Sequence, residues 1–571
     1  MPMRTPLLLS LALLLSACGQ EQAPPPTAAT PAEPAAPAAG DAPAPLQTSA
    51  EINTADFGAQ IERLADDRLE GRGPGSKGEK LTVEYLISEF QRIGLQPGNG
   101  DSWTQDVPMI EIRGEVTEPL TLRVGDTEMV LDAGTQSVVG SRLTQPEVSV
   151  ADSEIVFAGY GVVAPEYDWN DYAGLDAKGK TVVVLVNDPG FGIGDESLFK
   201  GKAMTYYGRW SYKFEECARQ GAAACIIVHE TEGASYPWEV VRNSWSGPEF
   251  DLPRGEGADP VVTVQGWITR DKAVELFAAA GKDFDAIRPT ADARGFAPFS
   301  LGGTASVKLR NEVREASSPN VLGLLKGSQR PDELIIYTAH WDHLGRTFGD
   351  PNDNIYNGAI DNATGVAGLL EIAEAFAKAD APPARSVLFL AVTLEESGLL
   401  GSRWYAQNPV YPLTRTAANI NMDALPIIGP TNDVVVVGYG SSELENVLRD
   451  AATAQNRQVV QEPTPQNGFY YRSDHFNFAK VGVPALYAKG GIDHREKGAD
   501  YGRQMAVDYT TNRYHKPADE YDPSWDLRGA VEDLQLLYEV GRRVADSDGW
   551  PQWLEGSEFK ARRDADMAAA Q

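Results

Sequence analysis

Two hydrophobic patterns alternate along the C-terminal half of the chain. Short, continuous apolar runs are typical of strands that are buried on both faces. The strands predicted in this way are Ile335–Tyr337, Ser386–Val392, Asn419–Asn421 and Asp433–Val437. Between the first two lies a predicted amphipathic helix, whose apolar stripe is Val366, Leu369, Leu370, Ala373 and Phe376. Strands that alternate with helices predict an α/β sandwich over residues 297–550.

The earlier parts of the chain have different patterns. Residues 51–112 have a helical pattern, and one predicted face carries Leu81, Tyr85, Leu86 and Phe90. Residues 140–296, here called the inserted segment, contain strand-like runs such as SEIVFAGYGVV, KTVVVLVND and AACIIVHE. We interpret this segment as a β-rich module that interrupts one domain, made of residues 51–139 and 297–550. Residues 551–571 remain as a C-terminal tail.

The N-terminus has the pattern of a targeting segment. Arg4 provides a positive charge, and the apolar run Leu7–Leu15 is too short to span a membrane. The residues LSAC resemble a bacterial lipobox, which predicts a signal peptide over residues 1–17 and a lipidated Cys18. Cleavage elsewhere by an ordinary signal peptidase is the alternative. Residues 18–50 are rich in Ala and Pro and predict a disordered tether.

This segment predicts an exported protein that is lipid-anchored at the bacterial cell envelope. Gly19, rather than Asp, follows the lipobox cysteine, which by resemblance favours the outer membrane, on its periplasmic side. We expect contact with a membrane only through the lipidated Cys18.

Composition and charge narrow the possible functions. A hydrophobic fraction of 42% is enough for a sizeable core. The formal net charge of -31 argues against nucleic-acid binding, which needs a basic surface. Apart from Cys18 the chain has two cysteines, Cys217 and Cys225, so zinc fingers are excluded. In an exported protein these two residues form either a disulfide or two buried free thiols, and both assignments remain open.

Five residues of metal-binding type follow one another in the C-terminal half. They are His340 in TAHWDH, Asp361 in GAIDNATG, Glu396 in TLEES, Asp423 in NINMDA and His515 in RYHKPADE. Each one alone has an ordinary structural explanation, such as a strand end, a helix N-cap or an acidic turn. Two histidines and three carboxylates together suit a pair of zinc ions that share one carboxylate.

Further acids lie next to these candidate ligands. Glu395 and Glu396 close the apolar run SVLFLAVTL, and neighbouring residues of a strand point in opposite directions. One of the two can therefore bind metal while the other faces the substrate water. Asp342 is placed to orient the imidazole of His340, and Asp519 to brace His515.

The order His, Asp, Glu-Glu, Asp, His resembles that of the di-zinc exopeptidase family. This family includes bacterial leucyl aminopeptidases, glutamate carboxypeptidases, glutaminyl cyclases and the transferrin receptor. The runs SDHFNF around Asp474 and LEGRGPGSKG are further matches, and the resemblance covers residues 51–545. The inserted segment resembles a protease-associated domain. The resemblance implies a three-layer α/β sandwich around a mixed, largely parallel sheet.

The resemblance also implies a role for each site residue. One zinc ion would be bound by His340, Asp361 and Asp423, and the other by Asp361, Glu396 and His515. Glu395 would act as the general base, and Asp342 would orient His340. The implied activity is that of an aminopeptidase that acts on short peptides.

Three other functions remain open within the same family. A carboxypeptidase would hold a substrate carboxylate with arginines, but the sequence does not place Arg403, Arg472 or Arg513 in a pocket. A glutaminyl cyclase would use one zinc ion, and the inserted segment argues against it. A non-enzymatic binding protein would lack a working ligand set. Only 56 residues follow His515, too few for the helical dimerisation domain of the receptor-like relatives, so we expect a monomer.

Overall fold

The computed structural model describes residues 42–245, 247–255, 260–346 and 353–570. The predicted signal peptide, Cys18 and the tether up to residue 41 lie outside this range. The described residues group as one compact unit. Within the described residues, no helix combines the length and the apolar character needed to cross a bilayer.

The first segment begins with two helices and continues into a long strand. Its elements are α1 (Thr54–Leu64), α2 (Lys77–Ile93), β1 (Gln96–Pro97), β2 (Thr104–Val124) and β3 (Thr127–Val130). The hydroxyl of Ser76 caps α2, and the predicted apolar face of this helix is buried. The helical pattern predicted for residues 51–112 is wrong beyond Ile93, because β2 alternates between buried and exposed residues and pairs along a sheet.

The inserted segment is rich in short strands, in agreement with its sequence pattern. Its elements are β4 (Ser137–Gly140), β5 (Glu147–Phe157), β6 (Val163–Ala164), β7 (Trp169–Asn170), β8 (Thr181–Leu185), α3 (Pro189–Ile193), α4 (Trp210–Arg219), β9 (Ala224–His229), α5 (Thr231–Ala234), α6 (Trp238–Ser244), β10 (Glu249–Asp251), β11 (Val264–Thr269), α7 (Arg270–Ala279) and α8 (Phe284–Ile287). Cys217 in α4 and Cys225 in β9 form a disulfide, which decides between the two assignments that the sequence left open.

The last segment carries all the candidate ligands. Its elements are β12 (Phe299–Leu325), β13 (Arg330–His340), β14 (Gly345–Arg346), β15 (Ile355–Tyr356), α9 (Thr364–Ala377), β16 (Arg385–Val392), α10 (Leu400–Gln407), β17 (Thr416–Asn421), β18 (Asp433–Val436), α11 (Leu444–Ala454), β19 (Gln458–Gln461), α12 (His475–Lys480), β20 (Ala485–Gly490), α13 (Gly498–Asp508), α14 (Arg528–Asp546) and α15 (Lys560–Ala569). Helix α9 is buried on nearly all sides, so it lies deeper than an amphipathic surface helix.

The central sheet of this segment is mixed and largely parallel. Its strands follow the order β19-β18-β20-β17-β13-β16-β12. Strand β13 pairs in parallel with both β16 and β17, while β12 joins β16 in antiparallel pairing. Helices α1, α9 and α14 contribute apolar residues to one core with β13 and β16, and Phe478 of α12 packs with the same strands in a second cluster. This is the three-layer α/β architecture expected from the sequence.

Two long strands join this sheet to the inserted segment. Strand β12 pairs with β2 over most of its length and with β5 of the inserted segment. The inserted segment nevertheless has its own apolar core, which takes in residues of β5, β8, β9 and β11. The outer halves of β2 and β12, including Leu122 and Val307, also pack into that core.

Candidate metal centre

The candidate ligands lie on loops that leave the sheet at one edge. His340 is the last residue of β13, Glu395 and Glu396 follow β16, and Asp423 follows β17. Because these three strands are parallel neighbours, their carboxyl ends meet at the same edge of the sheet. Binding sites in α/β sheets form outside the carboxyl ends of the strands.

One half of the site is centred on His340. Its Nε2 atom lies 3.3 Å from Oδ1 of Asp361, 3.6 Å from Oδ1 of Asp423 and 4.0 Å from Oε2 of Glu395. The ligand atoms of His340, Glu395 and Asp423 all lie within 4.8 Å of one another. His340 itself is buried, so its imidazole is held by the protein rather than by solvent.

The other half of the site is centred on His515. Its Nε2 atom lies 3.1 Å from Oε2 of Glu396 and 3.4 Å from Oδ2 of Asp361. Asp361 therefore presents one carboxylate oxygen to each histidine, which is the geometry expected of a bridging ligand. Five ligand residues that are separated by up to 175 positions in sequence are brought into one cluster.

Asp342 supports His340 in a different way from the one expected. The Nδ1 atom of His340 lies 3.1 Å from the main-chain carbonyl oxygen of Asp342, whereas the Asp342 carboxylate is 3.8 Å away. The carboxylate instead accepts a hydrogen bond of 3.2 Å from the main-chain N–H of Glu395. Asp342 therefore orients His340 through its main chain and holds the loop that carries Glu395.

Asp519 holds a different ligand from the one expected. The prediction that it braces His515 is wrong, because its carboxylate accepts hydrogen bonds of 3.1 Å from the main-chain N–H groups of Ile360 and Asp361. It thereby fixes the turn Ala359–Ala363 on which the bridging Asp361 lies.

Two hydrogen bonds to the ligands were not expected from the sequence. The Nδ1 atom of His343 lies 2.5 Å from Oε1 of Glu396. Ser473 donates a hydrogen bond of 2.6 Å to Oδ2 of Asp423 and accepts one of 2.7 Å from Asn421. Ser473 lies next to Asp474 in the SDHFNF run, but a serine gives no sequence signal for such a role.

A buried arginine beside the loops of two ligands is also not predicted by the sequence. The Arg72 guanidinium donates to the carbonyl oxygens of Trp341 (2.8 Å), Leu64 (2.6 Å), Asn357 (2.6 Å) and Gly358 (2.9 Å). Trp341 follows the ligand His340, and Gly358 begins the turn that carries Asp361. Arg72 thus ties together the two loops that bring these ligands into the site.

Backbone conformations around the ligands are unusual. Leu394, Ala424 and His515 all have positive φ values, of 56°, 49° and 54°. The first two precede Glu395 and follow Asp423, respectively. Non-glycine residues rarely adopt this region, and such conformations cluster at functional sites, where the surrounding structure holds them in place.

The site contains more acidic than basic side chains. Burial raises the pKa of Glu396, but the neighbouring His515 and His343 outweigh it and hold that pKa at about 2. Burial and the nearby Glu396, Asp423 and Asp474 raise the pKa of Glu395 well above its usual range, with His340 opposing them. Burial likewise raises the pKa of Asp342 to about 7. Carboxylates that are crowded in this way need added cations to stay ionised together.

The donor set fits zinc. It consists of imidazole nitrogens and carboxylate oxygens without a thiolate, and each half of the site offers three protein ligands. That number leaves a coordination position free for water or substrate, as catalytic zinc requires. Glu395, Asp423 and His515 retain side-chain exposures of 11%, 12% and 23%, so the site is reached from their side.

The other histidines and two of the three candidate arginines lie elsewhere. His229 bonds to the carbonyl of Tyr236, and the Nδ1 atom of His494 accepts hydrogen bonds from main-chain N–H groups. His475 is buried between tyrosine rings, and burial lowers its pKa to about 3. Arg403 pairs with Asp251, and Arg513 lies near Asp508.

The ligand-bearing part of the chain is similar to known proteins. Residues 320–538 match the model of peptidase family M28. Over 165 residues the chain is 34% identical to aminopeptidase NAALADL1 of Mus musculus, covering 28% of this chain and 20% of that protein. Over 215 residues it is 28% identical to a probable zinc metalloprotease of Pyrenophora tritici-repentis, covering 35% of this chain and 46% of that protein.

The matches to these curated relatives thus span a fifth to less than half of their length. The structure of an aminopeptidase from Aneurinibacillus sp. strain AM-1 matches with a TM-score of 0.51 at 19% identity, covering 88% of this chain and 96% of that chain. This similarity shows a shared fold. All the predicted metal ligands and Glu395 fall inside the range of residues 320–538 that matches peptidase family M28.

Proposed function

We propose that this protein is a zinc-dependent aminopeptidase that removes N-terminal residues from short peptides. The observation that carries the proposal is the position of Asp361 between His340 and His515, with Glu395 beside the same cluster. A purely structural metal site is normally closed by protein ligands and has no need of an additional acid. The name of the mouse relative, an aminopeptidase, agrees with this proposal.

We further propose two zinc ions per chain. His340, Asp361 and Asp423 would hold one ion, and Asp361, Glu396 and His515 the other. Positive charge at both positions would also offset the repulsion among the buried carboxylates.

Catalysis then follows from the chemistry of the residues around the substrate. Bound zinc would polarise the scissile carbonyl and lower the pKa of a water molecule towards about 7. Glu395 accepts the proton of that water on its carboxylate and passes it to the nitrogen of the leaving amine. The carbonyl carbon thus gains an oxygen as the C–N bond breaks. Asp342 keeps the Glu395 main chain in place during this transfer.

A substrate panel tests the proposal. We expect leucyl p-nitroanilide and leucine-containing dipeptides to be hydrolysed, and EDTA to abolish the activity until zinc is restored. N-acetylated peptides should not be cleaved. Release of C-terminal residues from those blocked peptides would contradict the aminopeptidase assignment and favour a carboxypeptidase. Activity that survives removal of zinc would contradict the metal assignment.

The inserted segment is proposed to be a protease-associated domain that covers the site. Two hydrogen bonds from this segment to the loop before α12 support this: Met204 N–H donates to the Pro465 carbonyl at 3.1 Å, and Ser235 donates to the Gln466 carbonyl at 3.4 Å. A covered site restricts the length of substrate that can enter. We expect kcat/KM to fall steadily over a Leu-Gly series of increasing length, whereas a flat series would contradict the cover.

We also propose that the enzyme is monomeric and is anchored to the cell envelope through Cys18. The lipobox pattern and the Ala/Pro-rich stretch after it support the anchor. Mass spectrometry of the mature N-terminus should find a lipid on Cys18, and an unmodified N-terminus farther downstream would contradict this. Sedimentation of the delipidated protein should give a single species of monomer mass.

A further inference from the structure

The loop that carries Glu395 is tied to the start of α10. The Glu395 carbonyl oxygen accepts hydrogen bonds of 2.9 Å from the main-chain N–H groups of Gly398 and Leu399, where the helix begins. The N–H of Leu400 donates to the Leu394 carbonyl oxygen, also at 2.9 Å. A displacement of α10 therefore displaces the main chain of Glu395 as well.

A close approach at Gly401, in the first turn of α10, strengthens this link. The Gly401 N–H donates to the Thr393 carbonyl oxygen at 3.0 Å, and a Cβ on Gly401 would lie 2.1 Å from the same oxygen. Such an approach requires a residue without a side chain. The backbone of α10 thus lies directly against the residue that follows β16, two positions before Glu395.

The inserted segment contacts α10 through a buried carboxylate. Asp251 is the last residue of β10, which pairs with β2, and its Oδ1 atom accepts a hydrogen bond of 2.7 Å from the Arg403 guanidinium of α10. Its Oδ2 atom accepts one of 2.9 Å from Arg254 and lies 3.7 Å from the guanidinium of Arg142. Asp251 is only 4% exposed, so solvent screens these contacts little.

The charge of Asp251 makes its contact with α10 a strong one. Burial raises the pKa of Asp251, but Arg142, Arg403 and Arg254 together outweigh it and hold that pKa below its usual range. The carboxylate therefore stays ionised. A hydrogen bond between an ionised donor and an ionised acceptor is about twice as strong as a neutral one.

Apolar contacts from the inserted segment reach the same loop. Leu252, which follows β10, belongs to a buried cluster with Leu394 and Leu400 and with Val107 and Met109 of β2. Leu394 directly precedes the proposed general base, and Leu400 is the first residue of α10. The residues at the end of β10 thus support both the helix and the loop that it closes.

We propose that Asp251 is a positioning residue for the general base Glu395 and acts through Arg403 and α10. A general base works only when it is held within hydrogen-bond reach of the proton that it accepts, and a small misplacement costs much of the rate. The inserted segment then belongs to the catalytic apparatus, in addition to its proposed role as a cover. The inference rests on the proposed function, in particular on the role of Glu395.

Replacement of Arg403 tests the contact from the side of α10. We expect Arg403→Met to lower kcat for leucyl p-nitroanilide, counted per bound zinc, by about 10-fold or more, with KM and zinc content within about twofold of wild type. Arg403→Lys keeps a cation and should recover part of the lost kcat. A change that merely loosened the fold would lower the zinc content as well, so the separation of kcat from KM and zinc content identifies positioning.

Replacement of Asp251 tests the other side of the contact. Asp251→Asn should lower kcat as Arg403→Met does. The double variant should be within about twofold of the slower single variant, because both changes break the same contact. Arg403 retains a side-chain exposure of 32%, so the fold tolerates its replacement, and Arg403→Met decides the question even if Asp251→Asn does not fold.

Arg254→Met is the matched control. Arg254 also pairs with Asp251 and has a similar side-chain exposure of 35%, but it lies in the inserted segment and not on α10. Its replacement leaves the bond between Asp251 and Arg403 in place, so we expect kcat to be unchanged.

Three results would overturn the positioning role. They are wild-type kcat in Arg403→Met, losses that multiply in the double variant, and a loss of kcat in Arg254→Met equal to that in Arg403→Met. Failure of the proposed function looks different, because then the wild-type enzyme itself shows no zinc-dependent hydrolysis of leucyl p-nitroanilide.

Discussion

Replacement of Arg72 should destabilise the protein and weaken its metal centre together. The Arg72 guanidinium is buried and donates to four main-chain carbonyls on three separate stretches of chain. Arg72→Met leaves all four acceptors without this donor. A buried acceptor that loses its partner costs about 1–3 kcal/mol, so the lower limit for four is about 4 kcal/mol. That is a large part of the 5–15 kcal/mol that typically stabilises a domain.

Arg72→Lys gives a graded test of the same reasoning. A lysine supplies a charge and donors from one point, so it can satisfy about half of these carbonyls and should cost about 2 kcal/mol. The control is Arg68→Met, because Arg68 is exposed and forms a surface ion pair with Asp66, and it should cost less than about 0.5 kcal/mol.

Two assays test these variants. Urea unfolding at a fixed zinc concentration measures stability, and competition with a chelator measures zinc affinity. We expect the order wild type, Arg72→Lys, Arg72→Met in both stability and affinity, because Arg72 joins the loops of His340 and Asp361. A methionine variant within about 1 kcal/mol of wild type, with unchanged zinc affinity, would refute the argument.

Three further changes should have distinct outcomes. Glu395→Ala should lower kcat by at least about 100-fold while the zinc content stays the same. Glu539 is an exposed acid on α14, so the control Glu539→Ala should leave kcat unchanged. Wild-type turnover by the Glu395 variant would remove Glu395 from the mechanism. Ser473→Ala removes the hydrogen bond to Asp423 and should weaken zinc binding about 10- to 100-fold, so an unchanged affinity would contradict its role. Burial, Asp56 and Glu374 raise the pKa of Glu371 to about 8, and the Asn53 N–H and Arg92 oppose this shift. Glu371 of the folded state therefore keeps a proton that the unfolded state loses above about pH 4.5. Wild-type stability should therefore fall between about pH 5 and pH 8, and Glu371→Gln should flatten that fall by roughly 1–3 kcal/mol in urea unfolding; parallel pH profiles would contradict this.

The sequence predicts the ligand-bearing part of the fold well because its signals are local. Apolar runs long enough for buried strands end directly at His340, before Glu395 and before Asp423. Parallel strands place such ends at one edge, so the approximate grouping of these residues follows from pattern alone. The extent of β12 was less predictable, because its middle part, NEVREASSPN, is polar and gives no strand signal.

Interactions between distant main-chain and side-chain groups could not be predicted. Arg72 is separated from Trp341 by 269 positions, and its partners are carbonyl groups, which every residue has. One weak signal lies in the adjacent glycines: a Cβ on Gly71 would come within 2.4 Å of the Gly345 carbonyl, so close packing is required there. The predicted contact between Asp519 and His515 is wrong for the same reason, because the Asp519 carboxylate accepts from the main-chain N–H of Asp361 instead.

The position of Arg472 shows what only the three-dimensional arrangement provides. The sequence does not locate Arg403, Arg472 or Arg513 relative to the site. In the structure Arg403 and Arg513 lie against acidic side chains, whereas Arg472 contacts the inserted segment. Its hydrogen-bond acceptor, the Ala234 carbonyl, lies 238 positions earlier in the inserted segment. No pattern within either segment indicates that the two meet.

Zinc titration of the metal-depleted enzyme tests the central claim most directly. Protein stripped with a chelator is titrated with zinc while leucyl p-nitroanilide hydrolysis and bound zinc are measured together, for wild type and for Glu395→Ala. We expect wild-type activity to rise from zero and level off at about two zinc ions per chain, and the variant to bind the same amount without activity. Hydrolysis by the stripped protein, or full activity with no bound zinc, would contradict the assignment of this site as a zinc aminopeptidase centre.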